Sequence, residues 1–505
     1  MKNTVNKKAN VLVIAIMITT VMFILVSGTY IISKNGLDRA TESTNDYELY
    51  WSAHAGYVHT MVNMKNIPNS SLNISIGDTL SLSTDDSLSN FNNGVSVKTR
   101  ATKTSSGFTL TSTAKKDGKF VKIENTALNV QSLIKYSECI QTMGYEGSWT
   151  TGYNFWGDVF VNSNINISDN PRFYGDVVTA AIKSPHLTAG KSVFETSGWN
   201  ASPPREEFGL GIHDLTNRSS VSSFTDIFKK KYSGDNPGET LSDVAMNWTE
   251  ITTAYPSSDT RRYSIGDKNT TINLKKKIVG SDTLQYADIK IGSNWNLDVD
   301  LSGIDVITVD NGSKNTKIKG EVCSELTIVT KESNIIINGD IYYSEVADMI
   351  SKTTDNFKAD RETFVYDNLV NKMTNNNHFL GLIAGAGLSS TTSSKDFGCI
   401  RVVDNDDTDN ETPLIVTAAM VASYGQIFAD DPSKWAYEIP FLTLGSIIAN
   451  EEGSTSSSSV GVMMNPITDK RLKNGFVPKT FKLALKDDGS INFSTGNWKV
   501  SRGSY

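Results

Sequence analysis

The densest run of hard oxygen donors in this sequence is Asp404-Asn405-Asp406-Asp407-Thr408-Asp409-Asn410-Glu411. Carboxylates so close together suit a calcium ion, which takes about six to eight oxygen ligands, and Asp404, Asp406, Asp407 and Asp409 are the candidate ligands. The spacing is not that of an EF-hand loop, which needs glycine at its sixth position and glutamate at its twelfth. A solvated acidic turn is the plainer reading, and calcium is the one cofactor for which there is any case. The five histidines (54, 59, 186, 213 and 378) form no H-E-x-x-H pair, and there is no G-x-S-x-G elbow, P-loop or G-x-G-x-x-G. Ser132-Leu133-Ile134-Lys135 fits Ser-x-x-Lys but lies in an apolar stretch, where such a match arises by chance. Trp149, Tyr153, Phe155 and Trp156 would stack on sugar rings if exposed; packing in a core is the simpler expectation. Cysteines 139, 323 and 399 make neither a disulfide framework nor a zinc ribbon. Catalysis is therefore not expected.

The elements that carry these residues are bounded by size and charge. With 505 residues, the chain has room for about two to four structural units at roughly 150 residues each. Charged residues at 20% and hydrophobic residues at 38% exclude a wholly disordered chain and a polytopic membrane protein. A net charge of -7 argues against nucleic acid as a partner.

Location is better advertised than chemistry. Val11 to Ser33 carry no charge, between Lys7-Lys8 and Lys34. That run makes roughly 34 Å of helix, enough to cross a hydrocarbon core. The lysines of the short tail place it in the cytoplasm, with the bulk of the chain outside a cytoplasmic (inner) membrane. A cleaved secretory signal, with an apolar core of about 7–15 residues, is the competing reading. Beyond the membrane, Leu37, Ala40, Tyr47, Tyr50, Trp51, His54, Tyr57, Val58, Met61 and Val62 recur at three- and four-residue steps. No proline interrupts 34–65, so one continuous helix is expected from about 10 to 64.

Lys7-Lys8-Ala9-Asn10 followed by an apolar run resembles the N-terminus of type IV pilin-like proteins, in particular the PilX-type minor pilins. Ser52-Ala53-His54-Ala55-Gly56-Tyr57 resembles the small-residue block of the same helix, which makes Ala53, Ala55 and Gly56 helix-packing positions. The resemblance implies that a prepilin peptidase cuts between Ala9 and Asn10, and that other pilin-like subunits pack on the N-terminal helix. Counted from Asn10, the fifth residue is Ile14, where shaft-forming pilins carry glutamate. A carboxylate in lipid is costly without a cation beside it, so an apolar residue suits a subunit with no neighbour beyond it.

The remainder reads as strands. Val95 to Arg100, Phe108 to Thr111 and Phe120 to Ile123, separated by Ser105-Ser106-Gly107 and Lys116-Asp117-Gly118, form an antiparallel meander. Gly157 to Ala180 alternates β-branched residues with Gly and Asn corners, as stacked short strands do. Ile304–Val309, Thr316–Gly320, Leu326–Thr330, Asn334–Tyr343, Leu380–Ala384, Leu414–Ala422 and Phe441–Ala449 continue this texture. A β-solenoid is the first expectation and a β-sandwich with long insertions the second. The order of these blocks over about 145–485 is similar to that of a domain of unknown function in PilX-type and related bacterial surface proteins.

The expected fold is thus α+β, mostly β. Residues 1–9 form a cytoplasmic tail, 10–33 a transmembrane helix, 34–144 an amphipathic helix with a meander, and 145–505 a solenoid-like β domain. The part outside the membrane has an expected radius of gyration near 22 Å, against a spacing of about 8–10 Å between packed helices. So bulky a head suits a rare or terminal subunit, displayed for adhesion or assembly priming toward a surface glycan or host ligand. The alternatives are a membrane-anchored surface solenoid outside any filament and a polysaccharide-acting β-helix enzyme.

Overall fold

One helix of 65 residues, α1 (Lys2–Asn66), leads the chain; at 1.5 Å per residue it is about 98 Å long. The structure is a computed structural model that describes residues 2–66, 74, 77–80, 87–91, 94–104, 107–128, 132–142, 149, 153–166, 172–173, 177–183, 244–312, 314–347, 378–389, 397–403, 414–431, 438–453, 456–457, 460–473, 476–482 and 497–504. No break occurs near residue 34. Thr19 and Thr20 donate their hydroxyls to the carbonyls of Ala15 and Ile16, which lets both sit in an apolar helix. The helix is long and apolar enough to cross a membrane, and its apolar window is not buried in the molecule.

The outer half of α1 lies across a five-stranded antiparallel sheet of β1 (Ser87–Phe91), β2 (Val95–Thr104), β3 (Gly107–Lys116), β4 (Lys119–Leu128) and the final strand of the chain, Asn497–Ser504. The expected turn at Lys116-Asp117-Gly118 closes the β3–β4 hairpin, with Asp117 at a positive φ of 47°; Ser105 and Ser106 of the other expected turn lie outside the described residues. Alternation sets Val95, Val97, Ala101, Phe108, Leu110, Ala114, Val121 and Ile123 on the face under α1.

The second body contains a 17-stranded sheet: β5 (Glu138–Thr142), β7 (Val159–Asn166), β9 (Val177–Lys183), β10 (Arg262–Ile265), β11 (Thr270–Val279), β12 (Asp282–Ile291), β13 (Asn294–Asp300), β14 (Val306–Val309), β15 (Thr316–Val322), β16 (Glu325–Thr330), β17 (Ile335–Tyr343), β18 (Phe379–Ile383), β19 (Ile400–Val402), β20 (Leu414–Ala429), β21 (Glu438–Glu452), β22 (Ser456–Ser457) and β23 (Val460–Thr468). The short strands β6 (Asn154–Phe155) and β8 (Arg172–Phe173) pair beside it. From β14 to β18, alternate strands pair in parallel while consecutive strands do not. The chain therefore turns a corner after each strand and stacks rung upon rung. The register puts like on like: Ile272, Ile318, Ile337 and Val402 form one ladder, and Ile307, Ile328, Leu382, Met420 and Ile447 another. Both ladders are buried in one core. At a corner, Asn311 Nδ2 donates to the carbonyl of Lys314 at 2.6 Å, Ser333 Oγ to Asn311 Oδ1, and Cys399 N to Asn334 Oδ1 at 2.9 Å, so the turn groups are satisfied inside the stack.

The outer face of the β14–β16–β18 wall is also buried. The segment around the short helix Trp248–Ala254, together with Leu472, Phe476, Val477 and Phe481, packs on it, and an antiparallel bridge joins Ala245 and Phe481. Two features differ from the sequence reading. An antiparallel flap, β11–β12–β13, extends from the first rungs. The last strand leaves the second body and pairs with β4, Trp498 opposite Asn125.

Gly445 has φ 150° and stands against the neighbouring strand, where an added Cβ would come within 2.1 Å of the Ala418 carbonyl oxygen. Gly445→Ala is expected to destabilise the stack by about 2–4 kcal/mol, read as a lower urea midpoint and lost hydrogen-exchange protection across β20 and β21. Unchanged protection would contradict the stacking described.

Candidate functional site

Beyond the membrane-length segment, α1 has two apolar faces. Leu49, Ala53, Tyr57, Thr60 and Met64 recur at steps of three and four and are buried on the sheet. Ala53 is fully covered. Gly56 is the point of closest approach: a Cβ there would lie 2.6 Å from both Ser112 Oγ and Val97 Cγ1. Ala55 is half-buried at the margin. Asn125 Nδ2 donates to the Tyr57 hydroxyl at 2.8 Å, and Lys116 pairs with Glu48 at 2.7 Å, which fixes the rotation of the helix on the sheet. About half a helical turn away, Leu37, Tyr47, Trp51, Val58 and Val62 are exposed. His54 sits among rings at the border of this face, 5.5 Å from Trp51, 6.3 Å from Tyr50 and 6.0 Å from Trp498 of the final strand, centroid to centroid. Trp498 in turn lies 4.5 Å from Tyr57. A helix buried on one side and apolar on the other is built to contact something more.

The remaining candidates do not converge on this face. Lys7, Lys8, Ala9 and Asn10 lie within the α1 backbone; their side chains are outside the described residues. Asp404, Asp406, Asp407 and Asp409 are also outside the described residues. Among the described residues no cluster of His, Cys, Asp and Glu has the form of a metal site. Ser132 donates its hydroxyl to the Lys482 carbonyl at 3.0 Å, and the Lys135 ammonium lies over the Tyr136 ring, so the Ser-x-x-Lys pair is engaged in packing. Trp149, Tyr153, Phe155 and Trp156 are buried, with the Trp149 and Phe155 rings 4.5 Å apart.

A group that sequence reasoning missed lies where the covering segment meets the stack. Asp305 and Glu325 begin adjacent rungs, the placement a glycan-cleaving groove would need. Here Lys479 Nζ holds Asp305 at 2.9 Å, and the Lys479 N–H donates to Glu325 Oε1 at 3.2 Å. Nearby, Arg471 is buried with the fully buried Asp469 at 2.6 Å and donates to the His378 carbonyl at 2.6 Å. His378 Nδ1 meets Glu345 at 2.5 Å. These bonds pin the covering segment onto the wall. Burial pushes the Glu325 carboxyl above its ordinary range, and the adjacent Asp305 adds to the shift against the pull of Lys479. The partner that Asp305 and Glu325 share, Lys479, lies more than a hundred positions away, so no local spacing could have signalled their pairing.

No protein-family model matches the chain, and no curated protein matches it. Among solved structures, the competence-associated pilin ComZ from Thermus thermophilus matches at 10% identity, over 91% of this chain and 98% of that one, with a TM-score of 0.27. That value is below the level from which a shared fold is read.

Gly56→Leu is expected to lift α1 from β2 and β3 and to cost about 1–3 kcal/mol, seen as faster hydrogen exchange in both strands; unaltered exchange would refute the close approach. Because the pKa of Glu325 is raised in the folded state, its contribution is favourable below its unfolded pKa and is lost as pH rises through the folded value. Glu325→Gln should therefore raise the melting temperature at pH 7 and change it little near pH 4. Equal losses at both pH values would show the carboxylate to be a stabilising ion partner instead.

Proposed function

We propose that this chain is a minor pilin-like subunit of the PilX type, belonging to a type IV pilus or a related filament system. In this reading the lysine-bearing tail stays in the cytoplasm, α1 crosses the inner membrane, and the β-rich mass lies outside. The observation that carries it is the unbroken α1, membrane-length and apolar at its start, seated on an antiparallel sheet by one face and bare on the other. A helix that merely tethered a soluble domain would have no need of a second apolar face outside the lipid. A filament core of like helices uses one, since each helix there touches its own head and its neighbours.

The size of the head supports a rare or terminal position. The stacked parallel rungs and the helix-bearing sheet, which takes the final strand, make a large head, and repeating it at helix-packing intervals would crowd a shaft. Its role in this reading is display, for adhesion to a surface glycan or host ligand or for priming assembly, without catalysis. The paired state of Asp305 and Glu325 beneath Lys479 supports the non-enzymatic reading over the polysaccharide-acting one. An anchored surface solenoid outside any filament shares the anchor but leaves the outer face of α1 without a use.

Co-expression with a prepilin peptidase tests the reading. The intact mass of the purified chain is expected to fall by residues 1–9, leaving Asn10 as the new N-terminus, and Ala9→Leu should block the change. An unprocessed chain, in cells where a known prepilin is cut, would refute it.

A further inference from the structure

The flap β11–β12–β13 turns one side to the core and the other to solvent. Ile272, Leu274, Ala287 and Ile289 point inward, so alternation and register send Lys275, Tyr286, Asp288, Lys290 and Trp295 outward. Trp295 is 46% exposed, and so large a ring left in solvent marks a contact surface. A ring stands toward each end of this face. Lys290 Nζ lies 5.6 Å from the centroid of Trp295, and Lys277 Nζ lies 4.9 Å from that of the half-buried Tyr286. Trp295 is opposite Lys290, and Lys290 is four residues along β12 from Tyr286, so the rings stand about 13 Å apart. Fixed polar groups fill the span. Lys275 holds Asp288 at 2.7 Å and Asp298 at 2.5 Å, and Asp288 also accepts the Asp298 N–H at 2.8 Å. Asp300 accepts the Ser302 N–H at 2.8 Å and the Tyr286 hydroxyl. Hydrogen bonds from Lys275 and the Asp298 N–H hold the Asp288 carboxyl below its ordinary range, and those from Ser302 do the same for Asp300, so both are acceptors at neutral pH.

We propose that this face binds a neutral oligosaccharide, one sugar ring stacked on Trp295 and the chain running toward Tyr286, with its hydroxyls bonded to Asp288, Asp298, Asp300 and the lysines between them. This rests on the display reading above and names the ligand class and the surface. Three features select that occupant. Residues 270–300 carry four lysines (275, 276, 277 and 290) and four aspartates (282, 288, 298 and 300), a net charge of zero, which exerts no pull on an anionic glycan or an anionic lipid surface. Lysine and aspartate are depleted in interfaces between proteins, whereas a sugar hydroxyl, both donor and acceptor, uses a carboxylate and an ammonium side by side. Strand addition is disfavoured as well. The ladder between β12 and β13 is broken between Asn296 and Val299, where Asp298 takes a φ of 53°, and such a bulge, with a charged residue on it, twists an edge away from pairing.

The test is binding of the full-length chain, in lipid nanodiscs, to an array of neutral gluco-, chito-, manno- and galacto-oligosaccharides printed beside sialylated and sulfated ones. Retention on neutral glycans is expected. Trp295→Ala should lower the apparent affinity about tenfold with an unchanged melting temperature, and Asp288→Asn should also weaken binding. Ile278→Ser, on the opposite side of β11 and 70% exposed, should bind as the parent does. Retention of no neutral glycan, retention confined to the charged glycans, or retention that survives Trp295→Ala would overturn the proposal. A chain that the prepilin peptidase cuts but that binds no glycan would leave the pilin-like reading standing and remove this surface. A chain that binds through Trp295 and is never cut would do the reverse.

Discussion

A helix with apolar side chains on opposite faces cannot satisfy both against a single sheet. That constraint organises α1. On one side the sheet approaches closely enough that Gly56 leaves no room for a Cβ, and Ala53 is sealed beneath it. Tyr57 and Glu48 complete the fit, through Asn125 and Lys116, by bonds that tolerate no rotation of the helix. The other side is left with Tyr47, Trp51 and Val58 in solvent. Burying such groups is worth about 1.5–3 kcal/mol each for the larger ones, so covering that face with an apolar partner would be favourable.

The β stack solves a different problem. Its parallel rungs are apolar on both faces, as Leu326 and Ile328 on the inside and Val329 on the outside of one strand illustrate. The inside is filled by ladders of identical or similar residues. The outside is covered by a segment from either side of the stack, held by the Arg471 bond to the His378 carbonyl and by Lys479 on Asp305. Asp469, fully buried beside Arg471, holds that guanidinium in place, and removing it would leave a buried charge uncompensated. The final strand returns to β4 and packs Trp498 against Tyr57, which couples the stack to the helix-bearing sheet through a residue that also borders the bare face of α1.

Legibility in the sequence followed locality. The long helix, the three-stranded meander and most rungs could be read because period 3.6 and period 2 are visible over ten residues. β20 and β21 run further than the apolar blocks at Leu414–Ala422 and Phe441–Ala449, because polar residues such as Gln426 and Glu451 pair with each other across neighbouring strands and extend the ladder. The flap at β11–β13 went unread since Lys275, Lys276 and Lys277 mask its alternation; their charges are met by Asp288, Asp298 and Glu321 from neighbouring strands. The return of Asn497–Ser504 to β4 was equally invisible, as nothing near Trp498 announces a partner some 370 residues earlier. The small-residue block at Ala53 and Gly56 was legible in composition, and its reason, close approach to Val97 and Ser112, needed coordinates.

The continuity of α1 is the claim on which the rest depends, and a distance distribution measures it directly. Spin labels at Gly36→Cys and Val62→Cys, both exposed, are separated by a backbone rise of about 39 Å in an unbroken helix. Double electron–electron resonance on labelled chains diluted with unlabelled ones, in nanodiscs, should give one narrow peak near that distance. A broad distribution, or a peak well short of it, would mean that the helix bends or breaks between membrane and sheet, and the account would fail.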